Sequence, residues 1–364
     1  MKLLMTGEAV GGVLSYALEL AGALGARGIA IALALKGALS SEQWAQARRV
    51  PGLEIFESAD RPEWTRGAGE DLARSSTWLL NLADLLSPDV IHLNDYAHGE
   101  LPFGAPTVVV AHFCIYSWCE AVERPPPDGF SRYDRAVARG LSAAGLVISS
   151  SRSMVASLER RYGPLPRVKV IPHGRSSERF APLEKEQMVL CAGTLPARNI
   201  AALDRAAAGL SWPVLLAGGG EHPIGSRRRP RARHARELGR LSPEALSCLY
   251  GRASIYVLPT CYEPFGLSIL EAALAGCALV LGDIESLRET WDGAAFFIDP
   301  DSSAGISAAL ALLIERDDLR RTLGEAARGR ALSFSSTRMA DGYLAAYREL
   351  LHGREDLATS AHLP

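Results

Sequence analysis

At 364 residues the chain is long for one hydrophobic core, and two domains are the natural expectation. Its 39 basic and 41 acidic side chains leave a formal net charge of -2, which excludes a global pull toward nucleic acid or an anionic membrane. The six cysteines, Cys114, Cys119, Cys191, Cys248, Cys261 and Cys277, form no C-x-x-C pair, and several lie in apolar segments. They read as buried free thiols in a reducing compartment.

In chain order, the N-terminus MKLLMTGEAVGG begins like a signal peptide but breaks at once on Gly7 and Glu8. No run reaches the roughly 18–20 uncharged apolar residues that span a bilayer. A cytoplasmic protein is expected, with peripheral membrane contact left open.

Strand-like runs follow at 2–7, 29–35, 53–58, 89–94, 106–112, 145–151 and 168–174. Helical patterns such as VLSYALELAGALGARG and SSTWLLNLADLL lie between several of them. Near-continuous apolar strands alternating with helices predict a parallel sheet covered on both faces. After the loop at 174–182 the pattern restarts, with strands expected at 188–195, 213–220, 253–260, 278–283 and 294–299. The fold class is therefore α/β: two doubly wound, Rossmann-like domains in tandem with a cleft between them, and ligands at the strand carboxyl ends. The first domain is expected over 1–174 and the second over 175–336, with a helix at 337–352 packing back on the first. From about Glu355 the sequence loses periodicity and is expected to fray. ERPPPDGF (123–130) reads as a proline-rich loop, and RRRPRARHAR (227–236) as a solvated basic loop.

GEAVGGV (7–13) follows the first strand and opens a helix, so its glycines let backbone approach a phosphate. It is not G-x-G-x-x-G, and the second strand ends in Lys36 where a dinucleotide site needs an acid. That disfavours a dinucleotide-dependent oxidoreductase. Asp299-Pro300-Asp301 has a D-x-D form but sits in a turn-like setting, and no His/Cys/Asp cluster has metal-ligand spacing. In YEPFGLSILEA (262–272), Glu263 falls on the loop after a strand and Glu271 on the helix that follows, which ends at Gly276. The amides of Phe265, Gly266 and Leu267 are expected as unpaired donors at the helix start, an arrangement suited to a ligand with a phosphate and several hydroxyls.

YEPFGLSILEAALAGCALV resembles the E-x7-E signature of the retaining family 4 glycosyltransferases, which have the two-domain GT-B fold. Over most of the chain the resemblance continues in order. GGV matches the family's phosphate-contacting loop, IPHGRSSERFAP its interdomain linker, and LGRLSPEALSCLYGRASIYVLPT the segment lining the nucleobase pocket. The resemblance implies a nucleotide-sugar as co-substrate, a hydroxyl-bearing acceptor, no catalytic metal and no other cofactor, and the charge balance leads us to expect no nucleic-acid partner. It implies that Glu271 holds ribose hydroxyls and Glu263 the donor sugar, and that amides at Phe265, Gly266 and Leu267 bind sugar or phosphate oxygens. Gly11 and Gly12 would approach the diphosphate, and His112 matches a histidine close to the reacting sugar. The acceptor is expected against the first domain, near Glu8, Asn94, Asp95, His98 and the Trp118 loop.

One departure stands out. GTLPARN carries Thr194 where the family usually has arginine and Arg198 in place of its lysine. Arg198 becomes the expected side-chain cation at the diphosphate, with Arg175 or the 227–233 run as substitutes. The alternative reading is a non-catalytic sugar-nucleotide or glycan-binding relative on the same fold.

Overall fold

The computed structural model describes residues 1–360 apart from Arg66, Pro127, Thr194 and 219–230, and for 354–360 it describes the backbone alone. The chain divides into two units: Met1–Gly174 joined by the chain from Ser336 onward, and Arg175–Ser335.

The first unit contains β1 (Lys2–Glu8), α1 (Gly12–Gly25), β2 (Ala30–Lys36), α2 (Ser41–Ala47), β3 (Leu53–Ser58), α3 (Gly69–Leu86) and β4 (Val90–Leu93). It continues through β5 (Thr107–Ala111), α4 (Ile115–Ala121), α5 (Ser131–Ala143), β6 (Leu146–Ser149), α6 (Arg152–Tyr162) and β7 (Val168–Val170). The sheet runs β3-β2-β1-β4-β5-β6-β7 with every ladder parallel. Leu3, Leu4 and Met5 of β1 are wholly buried, as a strand covered by helices on both faces requires. β7 stops at Val170, short of the expected 174, because Pro172 has no N–H for the ladder.

The second unit contains β8 (Glu186–Ala192), α7 (Ala197–Ala207), β9 (Val214–Ala217), β10 (Arg236–Gly239), α8 (Pro243–Arg252) and β11 (Ala253–Leu258). Then come α9 (Leu267–Leu274), β12 (Ala278–Gly282), α10 (Glu285–Trp291), β13 (Phe296–Ile298), α11 (Ser303–Glu315) and α12 (Asp317–Ala331). Its sheet runs β10-β9-β8-β11-β12-β13, again all parallel. β10 is absent from the sequence reading. Its residues RELG carry no apolar alternation, and it holds the edge by pairing with β9 alone. Of the basic run, 227–230 fall outside the described residues. The next stretch is anchored: the amides of Arg233, His234 and Ala235 all donate to the Asp204 carboxylate at 2.8–3.0 Å.

The last helix, α13 (Ser336–Ser360), belongs to the first unit and packs on α1. Arg27 Nε donates to Asp341 at 2.8 Å, and Tyr343 and Tyr347 are fully buried. Its backbone stays helical past 352 and through Glu355, where fraying was expected. Propagation adds one hydrogen bond per residue once a helix is nucleated, so the tail extends a helix already formed. Both sheets reverse strand order at one place, between β1 and β4 in one and between β8 and β11 in the other. Such a switch point is where doubly wound sheets bind ligands.

Candidate functional site

At the first switch point, β1 runs into an exposed loop, Val10 to Gly12. Gly11 has φ 77°, a conformation that strains any side chain, and α1 starts after it with no side-chain cap. Backbone N–H groups at this 14-residue helix start are therefore left for another acceptor.

From the carboxyl end of β4, Asn94 reaches two imidazoles. Its Oδ1 lies 3.1 Å from His92 Nε2 and 2.8 Å from His112 Nε2. His112 stands one residue beyond β5, with Tyr16 of α1 edge-on at 4.6 Å and His173 stacked at 5.3 Å. Burial pushes His92 down to about 4. Burial, reinforced by His173 and His92, holds His112 well below the usual histidine range. Both rings are neutral at ordinary pH.

Beside them lies a sealed charge network. Lys36 Nζ is 3.1 Å from Asp95 Oδ2, and Asp95 Oδ1 is 2.6 Å from His98 Nδ1. Ser75 Oγ and His98 Nε2 are 3.0 Å apart. Burial pushes Glu8 up to about 7 despite Lys36 and the indole N–H of Trp64, which donates to both carboxylate oxygens at 2.8 and 3.0 Å. The residues expected along an acceptor surface are thus internal: Glu8, Asn94, Asp95, His98 and Trp118 are all buried, His98 completely. One open cavity, of about 580 Å³, lies nearer the starts of α3 and α5, lined by Glu63, Gly69, Ala97, Phe130, Arg132 and Tyr133 among others. None of these six stood out in the sequence.

At the second unit's switch point, Glu263 sits on the loop after β11. Its Oε1 accepts from the Phe265 amide at 3.4 Å, and the Gly266 amide also turns to its carboxylate. Two of the three amides expected to be unpaired are thus taken by the glutamate itself. Burial raises the Glu263 pKa, and those two N–H groups oppose the rise. Gly266 has φ 87°, and a Cβ there would lie 2.5 Å from Ile269 Cδ1, so the turn into α9 needs glycine. Phe265 is a core residue, edge-on to Phe334 at 5.6 Å, and Leu267 opens the helix half-buried.

Glu271, on α9, is held by a partner the sequence reading did not assign to it. Arg175 Nε donates to its Oε1 at 2.9 Å, with the arginine side chain 4% exposed and the glutamate 14%. Arg175, read as a substitute phosphate cation, is thus ion-paired with Glu271. Its signal was a lone charge in the apolar stretch VIPHGR. Arg198, at the start of α7, has Nε 3.2 Å from Asp301 Oδ1, and Asn199 Nδ2 donates to the same oxygen at 2.9 Å. Asp299 accepts from the Asp301 amide at 3.0 Å, so the D-x-D is a turn. Thr194 lies outside the described residues. Among the described residues, no group of three or more His, Cys, Asp or Glu could hold a metal, and no helix is long and apolar enough to cross a membrane. The six cysteines are free; Cys114, Cys119, Cys191 and Cys277 are buried, Cys261 is half-buried and Cys248 is exposed.

Two doubly wound parallel sheets with ionisable side chains gathered at their switch points make a protein of two Rossmann-like domains suited to binding ligands there, and comparison with known proteins gives its class, a glycosyltransferase. Residues 10–179 match the model for Glycosyltransferase Family 4, and 179–330 that for Glycosyl transferases group 1. A glycogen synthase of Mycobacterium tuberculosis is 30% identical over 323 residues, covering 79% of this chain and 77% of its own. The fold is that of sucrose-phosphate synthase from Thermosynechococcus elongatus: TM-score 0.81, 18% identity, 97% and 100% of the two chains. A HepE structure from Anabaena in complex with UDP and glucose aligns with TM-score 0.73 at 17% identity, over 96% of this chain and 100% of that one. The chain belongs to the family 4 glycosyltransferases.

Proposed function

We propose that this glycosyltransferase moves a hexose-type sugar from a nucleotide-sugar to a hydroxyl acceptor with retention of anomeric configuration. The observation that carries the reading is the pair of glutamates at the second switch point, one on the loop after β11 and one on α9. Glu271, oriented by its ion pair with Arg175, accepts from ribose hydroxyls. Glu263 faces the donor sugar's hydroxyls, and a ligand oxygen would compete with it for the Phe265 and Gly266 amides, with the Leu267 amide beside them. Gly11 and Gly12 receive the diphosphate at the α1 start. Arg198 exchanges Asp301 for phosphate oxygen. His112 contacts the donor sugar, and the cavity lined by Glu63 and Tyr133 seats the acceptor.

In the proposed reaction the acceptor oxygen attacks the anomeric carbon on the face the phosphate leaves. The bond from that carbon to phosphate oxygen breaks, and the acceptor proton passes to the departing phosphate. The proposed step uses no metal; Asp299 is engaged with the Asp301 amide and Asp301 with Asn199. The solved HepE complex with UDP makes UDP-sugars the first donors to test. The purified protein, with EDTA present, is given UDP-, GDP-, ADP- and TDP-sugars and assayed for released nucleotide, and the freed sugar's anomer is read by NMR. Release from one donor class with the anomer retained is expected. Nucleotide binding without release, or an inverted product, overturns the reading.

A further inference from the structure

The imidazole pair at Asn94 contains more information than its distances alone. Asn94 is oriented from its donor side: its side-chain Nδ2 gives a 2.6 Å hydrogen bond to the Thr6 carbonyl, and its backbone N–H a 2.8 Å bond to Thr6 Oγ1. A carbonyl only accepts, so the amide group cannot be turned over, and Oδ1 is the atom facing both rings. An amide oxygen also only accepts, and it has two lone pairs. Both His92 and His112 must then carry their N–H at Nε2. A neutral imidazole has one such proton, so each ring keeps a lone pair on Nδ1. His92 uses its lone pair to accept from the Tyr347 hydroxyl at 2.6 Å. His112 Nδ1 has no hydrogen-bond partner among the described residues. The rings packed on His112 are Tyr16 from α1 and His173 from the segment after β7, and neither supplies a negative charge that would draw a second proton.

We propose that Asn94 is a positioning residue that locks His112 in its Nε2–H tautomer, so that Nδ1 is a standing hydrogen-bond acceptor that selects a hydroxyl on the donor sugar over a carboxylate. The lock follows from the hydrogen bonds alone. The selection rests on the reading that His112 faces the donor sugar. With Nδ1 able only to accept, a sugar hydroxyl can donate to it, whereas a uronate oxygen meets lone pair against lone pair. The substrate class is accordingly a neutral hexose donor in preference to its uronate counterpart.

The test begins with 15N-histidine-labelled protein and long-range proton–nitrogen NMR, with His112→Gln used to assign the signal. At neutral pH His112 is expected to be protonated at Nε2 and bare at Nδ1. A proton on Nδ1, or an even mixture, overturns the lock. Asn94→Leu should abolish the preference, and an unchanged Nε2–H population in that variant also overturns it. Should Asn94→Leu not fold, the near-isosteric Asn94→Asp decides. A carboxylate at that place should raise the His112 titration midpoint by about one unit or more, and no shift overturns the proposal. The selection is read separately, as the kcat/KM ratio of the accepted hexose donor to its uronate. Wild type should favour the hexose by about tenfold or more, the weight of one hydrogen bond to a group left unpaired. Asn94→Asp, whose His112 can carry a second proton, should narrow that ratio. A confirmed lock with an unmoved ratio overturns the selection and removes His112 from the donor sugar, while leaving the tautomer assignment intact.

Discussion

The two units treat charge in opposite ways at the same place in their topology. In the first, Lys36, Asp95, His98 and Glu8 are buried and engaged with one another or with Trp64, and the groups that remain beside them are neutral imidazoles and bare backbone. In the second, Glu263 and Glu271 stay half-buried, Glu263 turned to the Phe265 and Gly266 amides and Glu271 to Arg175. Strand order sets where a site can lie in either sheet, and the residues at that point decide its character. The first unit's position suits neutral contact and helix amides; the second's suits hydroxyls that donate to carboxylates.

The comparison breaks most easily at Lys36. Lys36→Met would leave Asp95 charged and buried, and removing one partner of such a pair costs about 3–5 kcal/mol. Urea unfolding should show that loss, with Lys36→Met/Asp95→Leu recovering part of it. A loss under about 1 kcal/mol would mean the network is not sealed. The second unit should respond in turnover instead. Glu263→Gln should lower kcat by about 100-fold, some 2.7 kcal/mol, with nucleotide affinity by calorimetry nearly unchanged. Lost affinity with kcat intact would reverse the roles of the two glutamates.

Much of this architecture was legible in the sequence. The apolar runs of β1, β2, β5, β11 and β12 need no tertiary information, because strands buried on both faces are apolar throughout. β10 does, since its charged residues become a strand only by lying against β9. Side-chain partnership was the least legible layer. Arg175 and Glu271 are 96 positions apart, and Lys36 and Asp95 are 59. Only the folded chain brings them together. Yet a lysine closing an apolar strand implies a buried counter-charge, and Lys36 was read merely as a missing acid. Glu263 also had a local cue: a carboxylate just before an uncapped helix start can accept that helix's first amides.

Glu8 sharpens the contrast through pH. Its pKa is raised to about 7 in the fold, against about 4.3 in an unfolded chain. Between those values the folded state keeps a proton the unfolded state has released, so stability falls as pH rises through that window and levels off above it. Relative to Glu8→Gln, the wild type should lose on the order of 2 kcal/mol from pH 4.5 to 7. Parallel profiles for the two proteins would place Glu8 in contact with water. The smallest effect is expected at Glu271. Glu271→Gln should weaken nucleotide binding about tenfold, or 1.4 kcal/mol, with kcat nearly preserved. A large fall in kcat with affinity intact would assign it to the sugar.

The placement of α13 has a consequence for how the protein is made. The second unit is one uninterrupted stretch, Arg175–Ser335, whereas the first is begun before it and completed by α13 after it. On a ribosome that extends the chain at about 5–20 residues per second, the second unit has its whole sequence available before Tyr343 and Tyr347 exist. His92 therefore lacks its hydroxyl partner, and the imidazole cluster its tyrosine wall, until translation has passed the other unit entirely. The first domain to begin is the last to mature, and ribosome-bound chains halted before Ser336 should carry a complete second unit beside an unfinished first.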